Sequence, residues 1–187
     1  MDLQFVSRGG IKLQAALDHW KLDLKDRVVL DIGSSTGGFV DCALQNGAAK
    51  VYSVDTAYGE LAWKLRNDPK VVVMERTNAL HLEDLPETVD LITIDASWTK
   101  LELVLPVVKK FLKPTGKIIA LLKPHYQGDK SKLIKGILPQ EEAEKVKEQT
   151  LTNLQKMEDL TVVEVIDSPI EGGAGNHEYL LLLQPNL

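Results

Sequence analysis

The segment Asp31-Ile32-Gly33-Ser34-Ser35-Thr36-Gly37-Gly38-Phe39 has the composition of a ligand-binding turn. Glycine lacks a Cβ, so the backbone can approach a ligand closely there. A dinucleotide fingerprint would need a second glycine at position 35, which is Ser35, and a phosphate loop would need Gly-Lys-Ser/Thr, which is missing. What stands there is an acid two residues before the first glycine, followed by two more glycines. Asp55 closes the next apolar run, and a carboxylate at that place can accept from both hydroxyls of a ribose. Four further residues could handle protons: Lys12 within Ser7-Arg8-Gly9-Gly10-Ile11-Lys12-Leu13, Asp95 and Lys123 at the ends of apolar runs, and Glu178 opening the last run. Any single Lys–carboxylate pair of this kind is usually a surface ion pair.

The elements that must position these residues follow from periodicity. Residues 10–20 carry Leu13, Leu17 and Trp20 on one helical face. A strand over 27–31 leads into the Gly-rich turn and a helix running to about 45. Strands are expected over 50–55, 71–75, 89–95 and 117–122. Helices are expected over 60–67, stopping before Pro69, and over 101–111. Residues 113–116, Lys-Pro-Thr-Gly, read as a turn and 125–136 as a loop. A helix starts at Pro139, with Glu141 and Glu142 favourable in its first turn and Ala143, Val146, Leu154 and Met157 on its apolar face. Strands over 161–167 and 178–183 close the chain, joined by a Gly-rich connection without a helix, which predicts an antiparallel pair. Alternating strands and helices imply a parallel sheet covered on both faces, with ligands at the carboxyl ends of the strands.

The DxGxxxGG arrangement resembles motif I of class I S-adenosylmethionine (SAM) methyltransferases. That resemblance implies SAM as cofactor, with Asp31, Gly33, Ser34, Ser35, Thr36, Gly37, Gly38 and Phe39 around its methionine part and Asp55 on its ribose. Asn78 is either an adenine-side contact or a helix N-cap, and Asp95 borders both cofactor and acceptor. The amino-methylating DNA enzymes carry Asn/Asp-Pro-Pro-aromatic where this chain reads Asp95-Ala96-Ser97-Trp98. No glutamate pair resembles the protein-arginine loop. The one cysteine, Cys42, lies inside a helix and reads as core.

Lys12, Asp95, Lys123 and Glu178 together resemble the Lys-Asp-Lys-Glu tetrad of the FtsJ-like RNA 2′-O-methyltransferases. SRGGIKL, DIGSSTGGF, LAWKLR, ERTN and SPIEGGAGNHE resemble its TlyA-type branch, the hemolysin/rRNA methyltransferase family, over residues 7–180. The implied fold is α/β: a three-layer, Rossmann-like class I SAM methyltransferase with a mostly parallel seven-stranded sheet and an antiparallel last strand. Residues 1–187 are expected to form one such domain, 1–25 carrying Lys12 and 26–187 the cofactor core. The implied reaction is methylation of a ribose 2′-hydroxyl, with RNA, ribosomal RNA or a ribosomal subunit, as partner. That hydroxyl is neutral at pH 7, so a general base is required, and burial and a second cation lower a lysine's pKa. Lys123 is read as the base, Lys12 as the cation beside it, and Asp95 and Glu178 as holding the two ammonium groups. The sulfonium brings its own electrophile, and His19, His81, His125 and His177 make no metal spacing, so no metal is assigned.

Three departures from the branch are visible. Its members carry an N-terminal S4 RNA-binding domain before the SRGG segment, where this sequence opens, so a fragment or short homologue without that module is expected. The usual D-V-S-F-I-S-L reads Asp95-Ala96-Ser97-Trp98-Thr99-Lys100-Leu101, and K-P-Q-F-E reads Lys123-Pro124-His125-Tyr126-Gln127. Trp98 and Tyr126 read either as stacking platforms for an unpaired base or as packing. Arg8, Lys130, Lys132 and Lys135 read either as a phosphate-contacting rim or as solvated charge.

Composition bounds these readings. The chain has 187 residues, a formal charge of −5, 44% hydrophobic and 26% charged residues, as soluble globular domains do. A fold built on a basic nucleic-acid footprint alone is excluded, though a local basic patch is not. No secretory h-region and no apolar run of membrane-spanning length are visible, so a cytoplasmic setting without a membrane partner is expected. Two other readings stay open: a SAM methyltransferase for a non-RNA acceptor, and a non-catalytic SAM-binding or hemolysin-like protein.

Overall fold

A computed structural model describes residues 4–97 and 99–186. Seven strands form one sheet: β1 (Val28–Ile32), β2 (Lys50–Val54), β3 (Val71–Met74), β4 (Val89–Ile94), β5 (Leu112–Leu122), β6 (Leu160–Asp167) and β7 (Tyr179–Pro185). Their order is β3-β2-β1-β4-β5-β7-β6. The first five pair in parallel, and β7 runs antiparallel to both β5 and β6. The expected antiparallel closing pair is therefore present. Residues 173–175 between β6 and β7 make only a short 3-10 turn.

Among the described residues there are six helices: α1 (Gly9–Trp20), α2 (Gly38–Gln45), α3 (Trp63–Arg66), α4 (Leu101–Val108), α5 (Pro124–Gln127) and α6 (Gln140–Leu154). One core lies under α4 and α6, with Leu30, Ile92, Ile118 and Leu181. The other lies under α1 and α2, with Val29, Leu91, Ile119 and Leu180. Neighbouring strand residues thus feed opposite cores, as a sheet covered on both faces requires.

Several elements depart from their expected limits. The helix expected over 60–67 shrinks to α3, because Glu75 at the end of β3 accepts from Gly59 N at 2.8 Å and pairs with Arg66 at 2.5 Å, holding the preceding turn away from helical geometry. The turn at 113–116 is a bulge within β5: Leu112 pairs with Val89, and Lys117 with Leu91. The loop at 125–136 contains α5, started by Pro124 at its first position, and a 3-10 turn over 130–132 capped by Asp129, which accepts from Ser131 N at 2.9 Å. Pro139 is the N-cap of α6 rather than its first residue. The helix expected over 101–111 is α4 followed by a 3-10 turn over 109–111.

The SRGG segment packs closely against Gly38 of α2. A Cβ on Gly38 would lie 2.3 Å from Ser7 Oγ and 2.8 Å from Gly10 N, so α1 and α2 meet backbone to backbone. Buried Asp41 on α2 accepts from Val6 N at 2.8 Å and fixes the approach to α1. Gly38→Ala should therefore destabilise the protein by about 1–3 kcal/mol through overpacking, read as a lower urea midpoint at unchanged slope. An unchanged midpoint would refute the close approach.

Candidate active site

The site lies where the parallel strands end. Asp95 follows β4, and its N–H donates to Ile32 O at 2.8 Å, tying the ends of β4 and β1 together. Gly33 has φ +82, and a Cβ there would sit 2.7 Å from Asp95 O. The Gly-rich turn consequently lies flat against the end of β4. Because β7 is antiparallel and Tyr179 pairs with Leu122, the residue before β7 stands beside the residue after β5. That topology brings Glu178 to the same edge as Lys123.

The four ionisable residues form two pairs. Lys12 Nζ donates to Glu178 Oε2, both side chains nearly inaccessible. Lys123 Nζ lies 2.5 Å from Asp95 Oδ1 and donates to Ser97 Oγ at 3.2 Å. Sequence reasoning gave Ser97 no role. It also missed Asn176 and Gly172, which build the Glu178 side. Buried Asn176 accepts from Leu138 N at 2.9 Å and donates to Gly136 O at 3.0 Å. A Cβ on Gly172 would lie 2.1 Å from Glu178 Oε1. The GN-x-E spacing carried that signal, but only the glutamate looked chemical.

Three cavities follow the strand ends. The first, 460 Å³, is bordered by Gly33, Ser34, Ser35, Thr36, Gly38 and Phe39 together with Arg8, Lys12 and Asp95. The second, 590 Å³, is bordered by Asp55, Asn78, Ala96, Ser97, Asp95 and Lys123. The third, 480 Å³, is bordered by Lys123, His125, Tyr126, Lys130 and Glu178. Shared residues join them: Gly33, Ser35 and Asp95 border the first two, Ser97 and Lys123 the last two. Asp31 and Gly37 border none of the three. A Cβ on Gly37, at φ +97, would meet Leu65 at 2.4 Å, so this glycine serves packing of the turn. Asp55 accepts from Ser35 N at 2.7 Å and Ala57 N at 2.8 Å. Asn78 caps a 3-10 turn, accepting from Leu80 N at 3.0 Å, and still faces the second cavity. Of the basic residues, Arg8 and Lys130 border cavities, Lys132 pairs with Glu142, and Lys135 is exposed. Trp98 lies outside the described residues.

A family model for FtsJ-like methyltransferases matches residues 5–184. The chain belongs to the FtsJ-like methyltransferase family. Among its relatives is the Bacillus subtilis (strain 168) protein named "Putative rRNA methyltransferase YqxC", 45% identical over 97% of this chain and 66% of its own length. Another is the 16S/23S rRNA (cytidine-2′-O)-methyltransferase TlyA of Mycobacterium tuberculosis (strain ATCC 25618 / H37Rv), 40% identical over 96% of this chain and 68% of its own length. A solved structure, "Putative hemolysin from Streptococcus thermophilus", superposes with a TM-score of 0.89 at 37% identity, over 100% of this chain and 69% of that one. The chain thus spans about two thirds of the length of these relatives. The sheet order and antiparallel β7 are those of a Rossmann-like methyltransferase fold. Among the described residues of this FtsJ-like chain, no helix is long and apolar enough to cross a membrane, and no cluster of three or more His, Cys, Asp or Glu could hold a metal ion.

Asp31 shows what the FtsJ-like turn costs. It is 1% exposed. Its Oδ1 accepts from Thr93 Oγ1 at 2.5 Å, its partner in the β1–β4 register, while Oδ2 has no hydrogen-bond partner among the described residues. Burial pushes its carboxyl up to about 7, against smaller lowering by Thr93 and Ser34. The unfolded carboxyl ionises near 3.8, so the folded state holds a proton that the unfolded state has lost, and stability falls as pH rises from about 4 to about 7. Asp31→Asn should remove this loss, gaining up to about 4 kcal/mol relative to wild type between pH 4 and pH 8. His125, whose imidazole burial, Lys123 and Lys12 push down to about 4, acts with the opposite sign below its ordinary 6.5 and cancels in the difference. Urea titrations at pH 4, 6 and 8 check this; parallel pH profiles for the two proteins would refute it.

Proposed function

We propose that the chain is a methyltransferase domain, spanning residues 1–187, that uses S-adenosylmethionine to methylate a ribose 2′-hydroxyl of RNA, with ribosomal RNA or a ribosomal subunit as partner in the cytoplasm. The observation that carries this reading is the cleft itself. Two Lys–carboxylate pairs, Lys12–Glu178 and Lys123–Asp95, open onto cavities continuous with the Gly-rich turn. The rRNA methyltransferase names of two relatives, YqxC and TlyA, support the choice of acceptor.

The residues present fit the cofactor. Gly33, Ser34, Ser35, Thr36, Gly38 and Phe39 all border the first cavity, and this turn would hold the methionine part with Asp31 behind it. Asp55 and Asn78, on the second cavity, would hold the ribose and adenine. When bound, S-adenosylmethionine supplies a methyl group activated by a positively charged sulfur. The acceptor hydroxyl must give up a proton as its oxygen takes the methyl. The neutral amine form of Lys123 would receive that proton and become the ammonium, its Nζ held at the cleft by Asp95 and Ser97. Lys12, fixed by Glu178, would orient the hydroxyl from the other side. Asp95 borders the two cavities that would hold the cofactor, and its partner Lys123 borders the second of these and the third cavity. A non-RNA acceptor is the second reading, favoured by the departures at positions 96–100 and 125–127.

Lys123→Ala should lower methyl transfer by about 10²–10⁴-fold, the usual contribution of a general base, with S-adenosylmethionine affinity nearly unchanged. Transfer of tritiated methyl to ribosomal RNA or subunits, followed by nuclease mapping of the modified ribose, measures the first; calorimetry measures the second. Unchanged turnover would sink the assignment of Lys123, and label found only outside RNA would favour the second reading. Asp55→Ala should weaken cofactor binding by about 10–100-fold, the loss of charged hydrogen bonds worth about 1.5–3 kcal/mol. Wild-type affinity would remove Asp55 from the site.

A further inference from the structure

Beyond α5 the chain turns through a two-residue hairpin. Ile134 N donates to Ile137 O at 2.8 Å and Ile137 N to Ile134 O at 3.0 Å. The two residues between them, Lys135 and Gly136, have φ of 53° and 84°. Two successive left-handed residues make the tight turn whose twist suits a hairpin. Glycine adopts it freely, whereas a lysine is strained there. The hairpin is held from below by buried Asn176, which binds both Leu138 N and Gly136 O. Its apolar side chains are nevertheless uncovered: Ile134 is 65% and Ile137 39% exposed. Lys135 has no ion-pair partner among the described residues.

The position gives this feature a use. Leu133 and Gly136, on the hairpin, border the same cavity as Lys123, Tyr126 and Glu178. A molecule that presents a reactive group to Lys123 through that cavity therefore meets this segment at Leu133 and Gly136, the residues next in sequence to the two isoleucines. A nucleotide within folded RNA reaches an enclosed site only by leaving its stack, which exposes the faces of its neighbours. Apolar side chains cover such faces in many nucleic-acid complexes, and cations meet the phosphates between them. A pinned apolar tip carrying one unpaired lysine, at the mouth of a cleft in an acidic chain, matches that chemistry.

We propose that the Ile134–Ile137 hairpin is a contact element for structured RNA, with Ile134 and Ile137 packing against bases that flank the acceptor nucleotide and Lys135 meeting a phosphate. The proposal rests on the RNA reading above and extends it to the folded substrate. The test uses the whole chain with purified ribosomal RNA. Ile134→Asn should weaken RNA binding about tenfold, the loss of one good contact residue, and lower methyl transfer to the same RNA without changing S-adenosylmethionine affinity. Lys135→Gly keeps the turn and should flatten the slope of log affinity against log salt by about 0.7–0.9, one phosphate contact. Wild-type binding and transfer by Ile134→Asn, in a wild type that does methylate RNA, would overturn the hairpin's role while leaving the function intact. A wild type that neither binds nor methylates RNA would remove the RNA reading and the hairpin proposal with it. Variants that bind RNA normally but lose binding to phosphatidylglycerol vesicles would make the hairpin a lipid contact and overturn the proposal.

Discussion

A lysine ammonium taken out of water needs an anion beside it, and Lys12 is buried. Its attraction to Glu178 offsets a desolvation penalty of several kcal/mol per ion only when the geometry is good and the remaining polar atoms are satisfied. Much of the architecture around the cleft meets that condition. Lys12 stands on α1, whose path is set by the contact of Gly10 and Ser7 with Gly38 and by Asp41 holding Val6. Glu178 stands at the start of the antiparallel strand, on a loop where Gly172 makes room for its carboxylate and Asn176 ties two segments together. Neither element touches the other in sequence: 166 residues separate the partners. The ion pair therefore joins the first helix to the last strand.

The second pair obeys a looser rule. Lys123 and Asp95 follow adjacent parallel strands, so their closeness comes directly from the sheet. Their side chains retain 11% and 22% exposure, against 9% and 2% in the first pair, so the two pairs differ in their carboxylates rather than in their ammonium groups. The Glu178 carboxylate is sealed and the Asp95 carboxylate accessible, while Lys12 and Lys123 each border a cavity. A sealed carboxylate fixes Lys12 in place, in keeping with the proposed division of labour in which Lys123 handles the proton and Lys12 orients the hydroxyl.

The strands and most helices were legible in the sequence because each is a short apolar run or an amphipathic stretch bounded by Gly, Pro or an acid. The ends of β1, β2, β4 and β5 were legible for the same reason, and with them the positions of Asp31, Asp55, Asp95 and Lys123. What was not legible depended on contacts between distant segments. Glu75 capturing Gly59 and Arg66 shortens α3, and no periodicity in 60–67 announces it. The bulge at 113–116 exists because β5 must resume its pairing with β4 at Lys117. Asn176 could not be assigned a role from its own neighbours, because its side chain bridges the loop before α6 and the loop before β7. Gly37 and Gly38 read as ligand-facing; Gly38 borders the first cavity while packing against α1, whereas Gly37 borders none of the three and is fixed by Leu61 and Leu65.

The side proposed for the acceptor differs in character from the side proposed for the cofactor. There the third cavity holds Tyr126 and His125, with ring centroids 4.1 Å apart, and the Lys123 ammonium 5.9 Å from the Tyr126 ring. A histidine beside two lysines could have been a third cation. Burial and the fields of Lys123 and Lys12 instead push its imidazole down to about 4, so at neutral pH it is an uncharged planar ring. The cavity then offers two flat, polarisable surfaces beside an ammonium and a carboxylate. A purely apolar acceptor would waste the charged pair, and a compact anion would find no use for the rings. A nucleoside, planar at one end and hydroxylated at the other, would use both, in keeping with the acceptor proposed above.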